Sequence, residues 1–450
     1  MTKVSAGNTI WLFALLPVIG VLSLPPLAVS DRIVAEVRWS APVAVASAAA
    51  HRGPWRMNQS DFRFVDDPAV AMSGEYLALA WVNQAEKDVF LQLYGPGSHS
   101  IFEAPINVSR TPEVFSWLPV VVLEPNLGAR PQQIYLLWQE IVFSGGGHGG
   151  EIFFSRSTDG GQSFAAPLNL SNSMAGDGKG RLSRDLWENG SLDLIRLPHG
   201  ELIAAWTEYE GRLWVSRSAD GGGSFSAPVH VAGNRVEPAR GPALAASDEG
   251  TVFLAWAVGE DPEAKIRIAP SRDGAHTFEP PIEIGRDGQR ADAPSLAVDP
   301  SGFLHLAYTQ YSPGLVGREY VRYLRLQPSD LTIAKSSKVF GSSGFSRSAY
   351  PSIVSDGQQR LYLLWELFSL GSSRPRGLGF TVSLDGGQSF LDSQVVPHSD
   401  VEEHGHNGSS QGLLLDKLAV DRMGGIAVVN STFRANNRST VWLFRGQLIP

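Results

Sequence analysis

Six arginines stand shortly before recurring apolar segments of the chain: Arg63, Arg110, Arg184, Arg240, Arg290 and Arg347. A guanidinium fork matches a carboxylate bidentately. Such residues either grip an anionic ligand or pair with the loop acids beside them, here Asp61, Glu113, Asp185, Glu237 and Asp292. Three glutamates follow a segment-ending tryptophan, Glu140, Glu208 and Glu366. They suit acid/base work or a cation, and equally an ordinary pairing with loop arginines. Glu402-Glu-His404-Gly-His406 is the one histidine-rich loop, and His148 lies in the glycine-rich run 144–150. No fixed scaffold joins these histidines, so no metal site is expected. No phosphate-binding glycine loop, Ser-His-Asp order or nucleotide fingerprint is present, so no cofactor is expected either.

The chain has 450 residues, no cysteine and a net charge of −8. Disulfides, Cys-ligated zinc and a thiol nucleophile are excluded. No Lys/Arg run builds the basic face that nucleic acid requires. At the N-terminus Lys3 is the only early charge, Ile10–Leu22 is apolar, and Pro25, Pro26, Ala28 and Ser30 follow. This predicts a signal peptide over residues 1–30, cleaved near Ser30. The alternative is an uncleaved membrane anchor over Ile10–Val29, although Pro17, Pro25 and Pro26 weaken a spanning helix. Either way residues 31–450, read as one domain, lie outside the cytoplasm: secreted, periplasmic or membrane-anchored. A monomer is expected.

The elements that must position these residues announce themselves by repetition. Ser157-x-Asp159-x-Gly161-x-Ser163-Phe164 returns at 218–225 and 383–390, and a worn copy stands at 271–278. The aspartates Asp159, Asp220, Asp273 and Asp385 are spaced by about 56 residues or twice that. A fixed period of this size means stacked supersecondary units. Each unit carries four alternating apolar segments. The second ends in an aromatic (Trp81, Trp138, Trp206, Trp256, Tyr308, Trp365), expected to pack between units. The fourth opens aromatic-x-x-Pro, and proline confines it to a sheet edge. First segments beginning near Pro68, Leu118, Ser191, Pro242, Pro294, Pro351 and Leu413 count seven units. The last lacks an outer strand, and Trp39-Ser-Ala-Pro42 supplies one. The prediction is an all-β propeller of four-stranded blades, seven blades with six as the alternative, closed by the N-terminal strand in the last blade.

The eight-residue box resembles the Asp-box, or BNR repeat, of the sialidase (neuraminidase) superfamily, and the resemblance spans roughly residues 60–450. It implies that the box is structural and lies opposite the active face. It also implies a tyrosine nucleophile, a glutamate that activates it, an aspartate acid and three arginines around a substrate carboxylate. Ser348-Ala-Tyr350-Pro is similar to the tyrosine segment, and the stretch Glu188–Leu202 to the glutamate segment. The resemblance thus assigns Tyr350 as nucleophile, Glu188 or Glu208 as its activator, and Asp66 as acid, with Asp61 and Asp67 as alternatives. Three of Arg63, Arg184, Arg240, Arg290 and Arg347 would form the clamp. The box matches the family more closely than these positions do. A non-catalytic propeller binding a glycan or protein at the cell envelope is therefore expected first, and an exo-sialidase-type hydrolase second.

Overall fold

The computed structural model describes residue 2 and residues 35–449, apart from 126–129, 143–149, 174–175, 184–185, 190, 261–262, 286–288, 313–317, 340–343, 405–413, 415 and 434–437. The leader over residues 1–30, residue 2 apart, lies outside the described residues, as do Arg184, Asp185, His148, His406 and Leu413.

Seven antiparallel sheets form a closed ring. Their innermost strands are Val65–Ser73, Ser116–Leu123, Leu192–Arg196, Ala239–Ala246, Ala291–Val298, Arg347–Ser355 and Leu418–Val420, numbered here as blades 1 to 7. Each innermost strand touches the next, and the seventh touches the first. Blades 1 to 6 have four strands in sequence order from the centre outward. In blade 7 the third strand, Arg438–Ile449, pairs with Val43–Ala49 and with Glu36–Trp39. The N-terminal segment therefore closes the ring in the blade that the C-terminus ends.

Burial explains the strand sequences. Second strands such as Val252–Val258 (VFLAWAV) are buried along their whole length, since neighbouring blades cover both faces, and they read as continuous apolar runs. The outer strand Ile333–Val339 is mostly exposed and carries Lys335 and Lys338, charges that discourage edge pairing. The six aromatics that end second strands are all buried. Trp138 packs with residues of blade 1, Trp206 with blade 2, Trp256 with blade 3 and Trp365 with blade 5. A ring buries ~150–250 Å², worth about 4–6 kcal/mol at ~25 cal/mol per Å² before entropy costs. These rings hold the blades together.

The boxes are turns between third and outer strands. Asp159 accepts hydrogen bonds from Ser163 N (2.9 Å) and Ser163 Oγ (2.6 Å), and Ser157 Oγ accepts from Gly161 N (2.8 Å). The same set recurs around Asp220, Asp273 and Asp385. Gly161, Gly222 and Gly387 have φ of 86°, 84° and 80°, and the worn copy forces Ala275 to 63°.

Five innermost strands begin three or four residues before a proline: Pro68, Pro119, Pro242, Pro294 and Pro351. At each of them the pairing slips by a bulge, and the residue before the proline takes a left-handed conformation: Asp67 (φ 50°), Leu118 (57°), Gly241 (55°), Ala293 (50°) and Tyr350 (53°). Alternation alone does not reveal a bulge, because the extra residue interrupts the period only once.

Candidate functional site

Connectivity puts the boxes on one face of the ring. The opposite mouth carries the starts of the innermost strands and the turns joining second to third strands. All five bulges lie there. Bulges re-aim side chains, and strained backbone concentrates where function requires it.

Blades 4 to 6 bring a row of charges to this mouth. Arg240 Nη2 is 2.8 Å from Asp292 Oδ2, and Arg290 Nε is 3.9 Å from the same oxygen. Arg290 continues to Glu319 (3.4 Å), which Arg347 reaches at 2.7 Å. Arg347 also donates to Ser372 O and lies over the Phe368 ring, 4.3 Å from its centroid. The row reads Arg240–Asp292–Arg290–Glu319–Arg347, three cations and two anions. Burial raises the Asp292 carboxyl, but Arg240 and Arg290 outweigh it and hold the group below its ordinary value. Arg290 and Arg347 stay partly exposed, with side chains 19 % and 32 % accessible. Tyr350 follows three residues after Arg347 on the same strand, and its N–H donates to Thr309 Oγ1 (2.8 Å).

The other candidates lie elsewhere. Arg63 sits on a short ribbon, His51–Arg52 with Phe62–Arg63, where it pairs with Asp61 (2.8 Å) in solvent. Arg110 donates to the carbonyls of Phe164 and Ala165. Asp66 is buried, with Ser431 of blade 7 donating to it, and Asp67 is buried beside it. Glu188 stands on an added hairpin, Lys179–Ser183 with Leu186–Asn189, between blades 2 and 3. Glu140 accepts from Trp138 Nε1 and Thr111 Oγ1, both at 2.9 Å, and Glu366 pairs with the buried Lys417 of blade 7. Among the described residues no group of three or more His, Asp or Glu side chains is arranged to hold a metal ion.

Two cavities flank the mouth. The central channel, about 310 Å³, is walled by innermost strands and holds two carboxylates, Asp193 and Asp416. Asp193 accepts from Leu194 N (2.7 Å) and Leu244 N (2.6 Å). Enclosure by the protein raises both carboxyls, and the Asp416 charge raises Asp193 further. The second cavity, about 240 Å³, opens between blades 2 and 3 and is lined by Ser173, Asp177, Trp206, Glu208 and Trp214. Glu208 accepts from Trp214 Nε1 (3.2 Å) and pairs with Arg212 (3.4 Å). Burial still lifts the Glu208 carboxyl above its ordinary value. Sequence reasoning singled out Glu208 but missed Asp177, which lies in an irregular loop with no motif.

No protein-family model matches the chain, and no curated protein matches it significantly. Solved structures do. Polysaccharide lyase Uly1 is 11 % identical, covering 91 % of this chain and 100 % of its own, with a TM-score of 0.52. A polysaccharide lyase of family PL25, an ulvan lyase, is 12 % identical, covering 90 % and 95 %, with a TM-score of 0.51. An alpha-L-arabinanase of Penicillium chrysogenum is 15 % identical over 69 % and 89 %, with a TM-score of 0.45. The first two likenesses support the seven-bladed architecture and nothing finer.

Proposed function

We propose that the protein is an exported, sialidase-like propeller that binds an anionic glycan or protein ligand at the cell envelope, with the arginine mouth as its site. The observation that carries this reading is the row Arg240–Asp292–Arg290–Glu319–Arg347. Its two acids hold three guanidinium groups in place before any ligand arrives. Pre-organisation of this kind lowers the entropy lost on binding. The five side chains carry one net positive charge, although the whole chain is acidic. That polysaccharide lyases share this propeller architecture favours a glycan over a protein ligand.

Binding is preferred to hydrolysis because Glu208, a candidate activator of the nucleophile, lines the cavity between blades 2 and 3 and serves Trp214 and Arg212. The hydrolase reading keeps Tyr350 as nucleophile, on the same strand as Arg347. One experiment separates the two. The protein lacking residues 1–30 is applied to a glycan array beside Arg347→Ala, and a fluorogenic sialoside is offered to it beside Tyr350→Phe. Retention of acidic glycans that falls at least tenfold in Arg347→Ala supports the binder; one lost charge-assisted hydrogen bond predicts about that loss. Sialoside turnover abolished by Tyr350→Phe supports the hydrolase instead. Neither retention nor turnover removes the mouth as a glycan site.

A further inference from the structure

The stretch 51–63 crosses the mouth from the rim of blade 7 to the centre of blade 1. It follows the closing strand, which ends with Ala49 paired to Arg438, and stops just short of the innermost strand of blade 1. It therefore shares a face with the arginine row, on the other side of the ring from blades 4 to 6. Its fold is fixed at several points. Gly53 N donates to Asp61 O (2.9 Å), and His51–Arg52 pairs with Phe62–Arg63. Ser60 Oγ accepts from Arg56 N (2.6 Å) and donates to Met57 O (2.7 Å). Asn58 ties the tip to blade 2: its Nδ2 donates to Ile141 O (2.8 Å) and its Oδ1 accepts from Phe115 N (3.0 Å).

This scaffold holds Trp55 outward. Its ring rests against Phe62 and Phe115, with centroids 6.0 and 6.4 Å away, yet the residue is 53 % exposed. Among the described side chains it is the one exposed aromatic ring. Tryptophan is normally well buried, so a half-exposed indole on a braced loop presents a fixed flat face. The charges around it are mostly of one sign. Arg52 lies over Phe62, 5.6 Å from the centroid of the same ring that Trp55 touches. Arg52 and Arg56 are exposed, and among the described residues neither reaches a carboxylate. His51 and Arg63 share the one acid, Asp61. Residues 51–63 hold three arginines and one aspartate, a net charge of +2 with histidine neutral, in a chain of net charge −8.

A flat apolar face beside guanidinium groups without counter-ions suits a ring that carries an acid group. The indole covers the C–H face of a sugar ring, and a guanidinium fork takes a carboxylate or sulfate. A neutral sugar leaves the arginines unused. The apolar area decides against a protein partner. Trp55 and Met57 are the exposed apolar side chains here, each about half exposed. Half of a ring's ~150–250 Å² is about 100 Å², far below the ~800 Å² per partner of a standard interface.

We propose that Trp55, Arg52 and Arg56 form a subsite for one acidic sugar residue of a glycan chain, its ring stacked on the indole and its acid group held by guanidinium. This names the ligand class of the mouth, and it rests on the reading that the mouth takes an anionic glycan.

The test is a calorimetric titration of the full-length protein at low salt. The probes are tetragalacturonate, a chondroitin sulfate tetrasaccharide and neutral cellotetraose, with hexaglutamate and phosphatidylglycerol vesicles as the peptide and membrane comparisons. At least one acidic tetrasaccharide is expected to bind at least tenfold more tightly than cellotetraose. Trp55→Ala lowers that affinity about tenfold, as for a tryptophan at the centre of an interface. Trp55→Phe, which keeps a flat face, retains most of it. Arg52→Ala costs about tenfold, as for one charge-assisted hydrogen bond, and makes binding less sensitive to salt. Melting curves establish that each variant is folded. Loss in Arg347→Ala but not in Trp55→Ala keeps the arginine row and removes this subsite. Loss in Trp55→Ala but not in Arg347→Ala keeps this subsite and removes the row. The proposal is also overturned if cellotetraose binds as tightly as the acidic glycans, or if hexaglutamate or the vesicles bind more tightly than every glycan and lose that binding in Trp55→Ala.

Discussion

Arg240 of blade 4 holds the Asp292 carboxylate of blade 5 at 2.8 Å, with both side chains largely removed from water. The pair spans two blades at the mouth, so it links ring geometry to site geometry. Removing Arg240 leaves the buried Asp292 carboxylate with only the more distant Arg290, at 3.9 Å, so the loss approaches that of an unpaired buried charge, about 3–5 kcal/mol. Arg240→Ala is expected to lose that much in chemical denaturation. The double variant Arg240→Met, Asp292→Leu is expected to recover most of it, because two packed apolar groups need no counter-charge. If the single variant denatures like the parent, the pair is not a structural link. The depressed Asp292 carboxyl contributes stability above its ordinary pKa, lost as pH falls through its lowered folded value.

Gly387 in the last box is fixed by two constraints. Its φ is 80°, and a Cβ built there would fall 1.7 Å from the Tyr323 hydroxyl. Gly97 has φ 70° and open space around it. Gly97→Ala is expected to cost only the left-handed penalty, about 1–2 kcal/mol. Gly387→Ala is expected to cost that plus overpacking of about 1–3 kcal/mol, and equal shifts in melting temperature for the two variants would contradict the packing argument.

His305 is fully buried, with Nδ1 2.7 Å from Tyr323 Oη and Nε2 3.2 Å from Asp299. Burial lowers its pKa despite the Asp299 carboxylate. A histidine with a depressed folded pKa stabilises above its unfolded value of about 6.5, and that contribution is lost as pH falls toward the folded one. Stability is therefore expected to decline below about pH 6.5, with a slope of at most ~1.4 kcal/mol per pH unit from this group. His305→Gln should flatten the decline in that window even if it lowers stability throughout. An unchanged slope would assign the acid sensitivity to other groups.

Asp416 touches the water of the central channel yet has protein on all sides, and Asp193 faces it. Both carboxyls are raised. Their ordinary acidity returns on unfolding, so ionisation above the unfolded pKa of about 4 works against the folded ring. Asp416→Asn is expected to raise the melting temperature at pH 8 and leave it nearly unchanged at pH 4. A lower melting temperature at pH 8 would show that the pair holds the channel together.

The architecture was readable because each blade repeats the same physical requirements. The turn at Asp159 needs the same acceptor and the same left-handed glycine as the turn at Asp220, and Trp138 and Trp206 fill equivalent gaps. Even closure was legible, since Trp39-Ser-Ala-Pro42 repeats the outer-strand pattern of the other blades. Chemistry obeys no such period. The row of arginines is visible only in the fold, where Glu319, at the start of the third strand of blade 5, stands between Arg290 and Arg347. Asp177 could not be found at all, because its partners Ser173 and Trp206 belong to a loop and to a core strand that the fold alone brings together. The available hint was a second tryptophan, Trp214, directly across from Trp206 where most other blades carry no indole.

The pairing of Glu36 with Ile449 and of Ala49 with Arg438 fixes the direction of the closing ribbon. The third strand of blade 7 runs from the mouth toward the face of the boxes, so its antiparallel partner starts at that face. Anything joined ahead of Glu36, a lipid-embedded helix included, is attached on the side remote from Arg290 and Arg347. A tethered molecule would thus hold its guanidinium-lined opening outward, toward whatever the surroundings present.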